Sequence, residues 1–374
     1  MHSLLLIAAF LGGEAQPPPV QEPLAPLAFL LGAWQGTGEG IGGNSTVIHD
    51  FQGIMEGKFI RWHTEAIFEP AEPDTLGERH EDVGYFSYDP ARKRIVLRQF
   101  LSEGYVNTYH VKPDNEAGAL VMTLEHSEGG GDVQARITLS LKDPKRYHSA
   151  LEMAADGKSL KACRLQVMHK MEPENWLKGL DVSHFSGEVS WPDIKKNGHH
   201  FAFAKATEGE DWVDPTFHEN MKAQKDVGLI RGAYHFFVAH DDPEVQAKNF
   251  IDNVVLEPGD LPPVVDVETL SSRPVPDLEA RLKKFLKLIE DHYGAKPIIY
   301  TGPTFWDHQV KESFGDYQLW VAEYNTELPS MPQGWQVWSF WQYKGDEGGP
   351  GIAKTADFNY FNGDAEALKK LLLK

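Results

Sequence analysis

Leu261-Pro262-Pro263-Val264-Val265-Asp266-Val267-Glu268 is the stretch from which the fold of this chain is predicted. Its apolar run is typical of a strand buried on both faces, as in a parallel sheet that helices cover. Side chains two positions apart on a strand point to the same face, so we expect Asp266 and Glu268 to emerge side by side. Desolvating two carboxylates is costly and suggests a chemical role for the pair, whereas the alternative is a strand end that faces solvent.

From Trp176 onward the sequence alternates apolar strands with helical patterns, which is typical of βα units around a parallel sheet. Eight strands are predicted, at residues 178–182, 201–206, 230–237, 264–268, 297–300, 318–322, 337–342 and 356–358. Helices are predicted at residues 217–227, 243–254, 277–293 and 364–373. We therefore expect an α/β domain, a TIM-like, modified (β/α)8 barrel in which some helices are shortened or lost.

The first half of the chain has a different rhythm, with short alternating runs separated by turn signals such as Asp89-Pro90 and Asp156-Gly157. Nine or ten such strands without a convincing helix between them predict an all-β antiparallel barrel. The chain is therefore expected to be multidomain, with the antiparallel barrel at residues 27–172 and the α/β barrel at residues 173–374.

The N-terminal residues have the pattern of a targeting segment. Leu4 to Leu11 form a short apolar run, which Gly12, Gly13, Glu14 and Ala15 follow. The run is too short to span a bilayer and predicts a signal peptide of residues 1–15, although no Lys or Arg precedes it. Residues 16–26 are proline-rich and predict a linker. We expect a secreted or periplasmic protein without stable membrane insertion, because no later stretch is apolar for long enough.

Composition argues against one class of partner and excludes sites that need several cysteines. The formal net charge of −19 argues against nucleic acid as a partner, because binding to phosphates needs a basic face. Cys163 is the only cysteine, which excludes an intramolecular disulfide framework and a clustered-thiolate metal site.

The ends of the predicted barrel strands carry carboxylates and aromatic rings. Because catalytic groups collect where the carboxyl ends of such strands converge, we expect these side chains to share one mouth. They are Asp181, Lys205, Tyr234, Asp266, Glu268, Tyr300, Trp320, Tyr324, Trp341, Tyr343 and Asp357. Acids drive glycosidic cleavage and aromatic rings stack on sugar faces, so the set predicts a sugar chain as substrate. The alternatives are barrel packing for the aromatic residues, a simple ion pair for Lys205 and a helix cap for Asp357.

Seven short motifs follow one another along the second half of the chain. They are Gly179-Leu180-Asp181-Val182-Ser183, Phe203-Ala204-Lys205-Ala206-Thr207-Glu208-Gly209, Gly232-Ala233-Tyr234-His235-Phe236, Val265-Asp266-Val267-Glu268, Trp320-Val321-Ala322-Glu323-Tyr324, Trp341-Gln342-Tyr343 and Ala356-Asp357-Phe358-Asn359. In this order they resemble the motifs of glycoside hydrolase family 25, the N-acetylmuramidases. The resemblance implies cleavage of the β-1,4 bond between N-acetylmuramic acid and N-acetylglucosamine in peptidoglycan, without a metal or cofactor.

The resemblance also implies roles for individual residues. Glu268 corresponds to the general acid. Asp266 corresponds to a second carboxylate, which either orients the substrate's N-acetyl group as nucleophile or stabilises an oxocarbenium-like state. Asp181 and Asp357 correspond to further acids of the site, and Lys205 and the aromatic residues at the strand ends are the expected substrate contacts. A rise of ~3.3 Å per residue does not fix the separation of the two carboxylates, so retention and inversion both stay open.

The opening of the first domain, from Pro26 to Gly40, contains Leu31-Gly32-Ala33-Trp34-Gln35-Gly36 and resembles nitrobindin-like and related calycin-type barrels. In nitrobindins a histidine holds a haem, and the resemblance implies either that ligand, a small apolar one or none. Candidate haem ligands are His63, His110, His126, His148 and His169, and no local motif selects one of them. The alternative function of the chain is therefore a glycan- or ligand-binding protein with little or no hydrolytic turnover.

Overall fold

The computed structural model describes residues 20–70, 75–114, 118–154, 159–171, 175–270, 275–326 and 328–374. The predicted signal peptide, residues 1–15, lies outside these ranges, as do residues 16–19 of the predicted linker. The described chain forms two compact units, so the prediction of a multidomain chain is confirmed. The first unit comprises residues 20–68 and 79–171, and the second comprises residues 69–78 and the chain from residue 175 onward, within the described ranges.

The first unit is a closed antiparallel sheet of ten strands, which agrees with the prediction of an all-β domain. A 3-10 helix, Ala25–Leu30, precedes the sheet. The strands are β1 (Gly32–Gly40), β2 (Ser45–Ile54), β3 (Phe59–Phe68), β4 (Arg79–Asp89), β5 (Arg94–Leu101), β6 (Val106–Asp114), β7 (Ala119–Glu128), β8 (Gln134–Asp143), β9 (Arg146–Ala154) and β10 (Lys161–Lys170). Each strand pairs with the next, and β1 pairs with β10 to close the barrel, so each of these ten described strands has a partner on both sides. The more specific likeness to calycin-type barrels stays a prediction.

The 3-10 helix packs into the aromatic core of this barrel. Leu27 and Leu30 are fully buried in the same cluster as Trp34 and Tyr147. The Trp34 indole donates a hydrogen bond to the Leu30 carbonyl at 2.7 Å, and its ring meets Tyr147 edge-on with 4.7 Å between centroids. A turn of apolar residues followed by tryptophan therefore fixes how the chain enters the first strand.

The histidines of the first barrel differ in their burial. His49, which the sequence patterns do not single out, lies in the core, with an exposed fraction of 1%. Its Nδ1 hydrogen-bonds with the Tyr147 hydroxyl, and burial lowers the pKa of His49 to about 3, so the ring is neutral. The five predicted haem ligands occupy half-buried or exposed positions instead: His63, His110, His126, His148 and His169.

The second unit alternates strands with helices around a second closed sheet. Its strands are β11 (Leu177–Val182), β12 (His199–Glu208), β13 (Trp212–Val213), β14 (Ile230–Phe236), β15 (Val264–Asp266), β16 (Ile298–Thr301), β17 (Gln318–Ala322), β18 (Phe340–Glu347) and β19 (Ala356–Phe361). Its helices are α1 (Trp191–Lys196), α2 (Phe217–Asp226), α3 (Pro243–Asn253), α4 (Leu278–Tyr293), α5 (Pro303–Gln309) and α6 (Ala365–Leu371). The short helices α1 and α5 and the strand β13 were not predicted.

The closed sheet departs from a uniformly parallel (β/α)8 barrel at its last strand. The order is β11-β19-β18-β17-β16-β15-β14-β12, closed by pairing of β11 with β12, and β13 is an antiparallel addition to β12. Apart from β13, the neighbouring strands from β11 to β18 are parallel. Strand β19 is antiparallel to both of its neighbours, β18 and β11. Residues 348–355, which connect β18 to β19, are too few for a helical crossover, so the chain returns antiparallel.

Aromatic rings fill the interior of the second barrel. Phe203 stacks on Trp320 with 4.3 Å between centroids and meets Phe340 edge-on. Gly232 makes room for Phe203, because a Cβ at this glycine would lie 2.4 Å from the phenylalanine ring. This packed layer closes the barrel interior and leaves the carboxyl ends of the strands as the open side.

Helix α4 shows why the helical predictions succeed. Its apolar positions fall on one face and are all buried: Leu278, Leu282, Phe285, Leu286 and Ile289. Phe285 stacks on His235 of β14 with 4.9 Å between centroids, and Gly294 ends the helix in the left-handed conformation. Within the described residues we find no helix with the length and apolar character needed to cross a bilayer.

Candidate active site

The carboxyl ends of the parallel strands surround a cavity of about 250 Å³. Eight of the predicted site residues line it: Asp181, Lys205, Tyr234, Asp266, Glu268, Tyr300, Trp320 and Asp357. Gln342, Phe185 and Phe236 also line it, although the sequence patterns assign them no role. These eight side chains therefore lie around one shared mouth.

Three predicted contacts are not part of the cavity lining, and for the two on β18 the reason is that side chains alternate along a strand. Gln342 of β18 points into the cavity, so Trp341 and Tyr343 lie on its other face. The Trp341 indole donates to the Glu323 carbonyl at 2.8 Å, and Tyr343 stacks on Tyr360 with 4.1 Å between centroids. Tyr324 is partly exposed beside the cavity, where its hydroxyl donates to Oε1 of Gln342.

Asp266 and Glu268 share the cavity although strand β15 ends at Asp266. The backbone between them stays bonded to the next strand, since the Val267 N–H donates to the Tyr300 carbonyl at 2.9 Å. The Val267 carbonyl also accepts the Thr301 hydroxyl at 2.7 Å. The extended backbone therefore continues past the strand end and brings the Glu268 side chain to the same cavity as that of Asp266.

Asp266 is a buried acid with an exposed fraction of 7%. Burial raises its pKa well above the usual range, and the charges of Glu268 and Asp181 add to the effect while Lys205 opposes it. Its Oδ1 is buried and has no hydrogen-bond partner within the described part of the chain. A negative charge on Asp266 is therefore poorly compensated by the surrounding protein.

Glu268 lies at the mouth and keeps part of its side chain in solvent. The protein atoms around its carboxyl group nevertheless remove enough water to raise its pKa. Lys205 lowers the pKa and Asp357 raises it, so two neighbours of opposite charge act on the same carboxyl group. Glu268 is an acid that keeps its proton at a higher pH than a free glutamic acid while staying within reach of a ligand.

Asp181 is held by two side-chain amides. Its Oδ2 accepts a hydrogen bond from Nε2 of Gln342 and another from Nδ2 of Asn359, each at 2.8 Å. The Trp320 indole, which can only donate, reaches Oδ1 of Asn359 at 2.7 Å and so fixes the orientation of that amide. Burial, followed by the charge of Asp357, raises the pKa of Asp181 well above its usual range.

Gln342 connects the acids to two tyrosines. Its Oε1 accepts hydrogen bonds from the hydroxyls of Tyr300, at 2.8 Å, and of Tyr324. Its Nε2 reaches Oδ2 of Asp357 at 3.4 Å in addition to Asp181. The central position in Trp341-Gln342-Tyr343 is the signal for this role, because a polar residue between two aromatic ones on a strand takes the opposite face.

Asp357 and Lys205 complete the charged groups of the cavity. Burial raises the pKa of Asp357, while the Asp346 backbone N–H, which donates to Oδ1 at 2.6 Å, opposes that effect. The Lys205 ammonium forms an ion pair with Glu208 at 2.6 Å, which is the alternative role considered for this lysine in the sequence. Lys205 also lines the cavity. Four acids with raised pKa values around one cavity can divide between neutral donors and charged acceptors, as cleavage of a glycosidic bond requires.

His235, within one of the seven motifs, is a packing residue. It is fully buried, its Nε2 bonds to Oε1 of Gln246 at 3.1 Å, and its Nδ1 bonds to the Thr207 hydroxyl at 2.7 Å. Burial lowers the pKa of His235 to about 3, so the ring stays neutral. Its two ring nitrogens are satisfied away from the cavity.

Residues 180–352 match the sequence model of Glycosyl hydrolases family 25. The uncharacterized protein YegX of Escherichia coli (strain K12) is 38% identical over 198 residues, which cover 52% of this chain and 72% of that protein. Lysozyme M1 of Streptomyces globisporus is 31% identical over 208 residues, covering 52% of this chain and 71% of the lysozyme. Among solved structures, a bacterial lysozyme from Streptomyces coelicolor is 30% identical with a TM-score of 0.49, covering 52% of this chain and 96% of that chain.

Proposed function

Because this chain belongs to family 25 of the glycosyl hydrolases, we propose that it cleaves the β-1,4 bond between N-acetylmuramic acid and N-acetylglucosamine in peptidoglycan. The chain is a glycoside hydrolase. The observation that carries the more specific proposal is the pair Asp266 and Glu268 in one cavity with tyrosine and tryptophan walls. Acids supply proton transfer and charge, and the rings suit the faces of sugars.

In this proposal Glu268 is the general acid. A general acid must hold its proton until the leaving oxygen needs it, which requires a raised pKa and access to the ligand. Glu268 has both, because its carboxyl group is desolvated while its side chain reaches solvent at the mouth. Protonation of the glycosidic oxygen by Glu268 would release the leaving sugar as the bond breaks.

Asp266 is the charged companion in the proposed mechanism. The unpartnered Oδ1 makes its negative charge unfavourable in the free enzyme. Positive charge that develops on the sugar ring in an oxocarbenium-like transition state would compensate it, so Asp266 would interact more strongly with that state than with the substrate. Asp181 and Asp357 support the pair through the network around Gln342.

We also propose that the enzyme acts outside the cytoplasm. Peptidoglycan lies there, and residues 1–15 have the pattern of a signal peptide. Mass spectrometry of the protein recovered from the culture medium or periplasm would give an N-terminus at Gln16, as free glutamine or as pyroglutamate, if cleavage follows Ala15. Recovery of the intact chain from the cytoplasm alone would contradict export.

Analysis of the cleavage products tests the proposed bond. Purified cell wall is digested, the products are reduced with borohydride, and the new reducing ends are identified by mass spectrometry. Muramidase action predicts reduced N-acetylmuramic acid at every new end. Reduced N-acetylglucosamine would instead show cleavage of the other glycosidic bond and contradict the proposal.

A further inference from the structure

We propose that Phe185, backed by His184 and Trp212, is a stacking platform for a further sugar unit of the glycan strand, beyond the units held among the acids. This inference rests on the proposed function and adds a binding subsite at the edge of the cavity. The platform is made by the turn after β11 and by β13, and none of its three residues is among those predicted from the sequence.

Phe185 is an apolar ring placed at the mouth of the cavity. It has an exposed fraction of 68% and is also part of the cavity lining. A single exposed phenylalanine is ordinary on a protein surface, but this one continues the wall of the cavity that holds the four acids. A ligand that fills the cavity and extends over this edge would cover the ring.

The backbone under Phe185 is fixed before any ligand binds. Residues His184–Ser186 form a 3-10 turn, in which Oγ of Ser183 accepts the Phe185 N–H at 3.3 Å. In return, the Ser183 N–H donates to Oγ of Ser186 at 3.2 Å. The backbone of this turn therefore loses little conformational entropy when a ligand covers the Phe185 ring.

The His184 ring behind Phe185 is fixed by a buried carboxylate. The centroids of His184 and Phe185 are 3.9 Å apart. Oδ2 of Asp214 accepts both the backbone N–H and Nδ1–H of His184, each at 2.9 Å, and the Asp214 side chain is fully buried. Thr216 satisfies the other oxygen of Asp214 through its N–H and its hydroxyl. His184 is therefore anchored in one orientation.

Trp212 extends the wall and connects it to the cavity. Its ring centroid lies 5.1 Å from that of His184, and the Lys205 ammonium lies 5.0 Å from the Trp212 ring. Lys205 itself lines the cavity. The rings of Phe185, His184 and Trp212 thus form a continuous aromatic edge, the kind of surface on which the C–H face of a pyranose stacks.

Binding to glycans of two lengths tests the platform without turnover. In the Glu268→Gln background, calorimetry is used to measure the affinity for peptide-free glycan tetrasaccharides and octasaccharides prepared from peptidoglycan. We expect Phe185→Ala to weaken binding of the octasaccharide roughly 3- to 10-fold and that of the tetrasaccharide less. Phe185→Tyr should restore binding of the longer glycan, because it returns the ring. Val255→Ala, which removes another exposed apolar side chain of this unit, is the matched control and should change neither affinity.

The outcomes separate this inference from the proposed function. Equal affinity of Phe185→Ala and its parent for both glycans, or an equal loss for both, overturns the platform. If the wild type cleaves cell wall in parallel, the proposed function stands despite that result. Absence of both cleavage by the wild type and binding by the Glu268→Gln protein would overturn the proposed function and the platform together.

Discussion

Gln342 donates a hydrogen bond through Nε2 to Oδ2 of Asp181 at 2.8 Å, and so joins two side chains that are 161 positions apart in the sequence. The same oxygen accepts Asn359 from β19, the antiparallel strand that lies between β18 and β11. Three adjacent strands are thus connected through one carboxylate oxygen. The antiparallel strand β19 places Asn359 between β18 and β11, where its amide reaches Asp181.

Replacement of Gln342 tests whether this connection orients the site. Gln342→Glu keeps the shape but loses both N–H donors and adds a carboxylate beside Asp181 and Asp357. We expect kcat on cell wall to fall about tenfold or more, with a smaller change in KM, because loss of one such contact costs roughly 1–3 kcal/mol. Retention of wild-type kcat by Gln342→Glu at all pH values would show that the amide does not position the acids.

The pH dependence of kcat/KM should move in opposite directions in two charge variants. Lys205 lowers the pKa of Glu268 and Asp357 raises it. If activity needs protonated Glu268, it falls as pH rises through this pKa. Lys205→Met should therefore shift the basic limb of the profile to higher pH, and Asp357→Asn should shift it to lower pH. Shifts of the same sign in both variants would contradict the assignment of Glu268 as the acid.

Stability at neutral pH should increase when the ionisable carboxyl group of Asp266 is replaced by an amide. The pKa of Asp266 in the folded state lies above the ordinary value of 3.8. The stability that the neutral acid contributes is therefore complete below pH 3.8 and is lost as pH rises through the folded-state pKa. Asp266→Asn should therefore raise Tm at pH 7, where about 1 kcal/mol corresponds to roughly 2–4 °C for a domain of this size. The gain should shrink toward pH 4. Asp316→Asn, at an exposed carboxylate, is the control and should leave Tm nearly unchanged.

The aromatic interior of the second barrel should tolerate no side chain at Gly232. A Cβ there would lie 2.4 Å from the Phe203 ring, and overpacking of this kind costs about 1–3 kcal/mol. Gly232→Ala should lower the free energy of unfolding by that amount in a denaturant titration. At Gly348 a Cβ would meet its nearest neighbour at 3.7 Å, so Gly348→Ala is the matched control. Equal stability of the two variants would contradict this packing.

The sequence predicts most of what lies on regular strands. Period-two alternation and buried apolar runs are local signals, so Asp181, Tyr234 and Asp266 could be assigned to strand ends that converge. The same signals predict the antiparallel first barrel, whose short alternating runs repeat at close intervals. Helix α4 follows from the spacing of its buried residues.

The sequence does not predict features that depend on contacts between distant segments. The antiparallel direction of β19 depends on its short connection, and the position of Gln342 on the inner face depends on the register of β18. The sequence around His49 and Phe185 carries no chemical signature. His49 is buried and Phe185 is exposed, and both properties arise from tertiary packing. The face of β18 that carries Trp341 and Tyr343 depends on the same register, because aromatic residues near a strand end look alike in the sequence until the facing side is known.

Clearing of purified cell wall by wild type and Glu268→Gln protein tests the central claim most directly. The amide keeps the size and shape of the side chain but replaces one carboxyl oxygen by an NH2 group, which has no acidic proton. The proposed mechanism predicts clearing by the wild type and, for a Glu268→Gln protein that melts at the same temperature, a loss of rate of at least about 10²-fold. Clearing by Glu268→Gln at the wild-type rate would contradict the assignment of Glu268 as the proton donor.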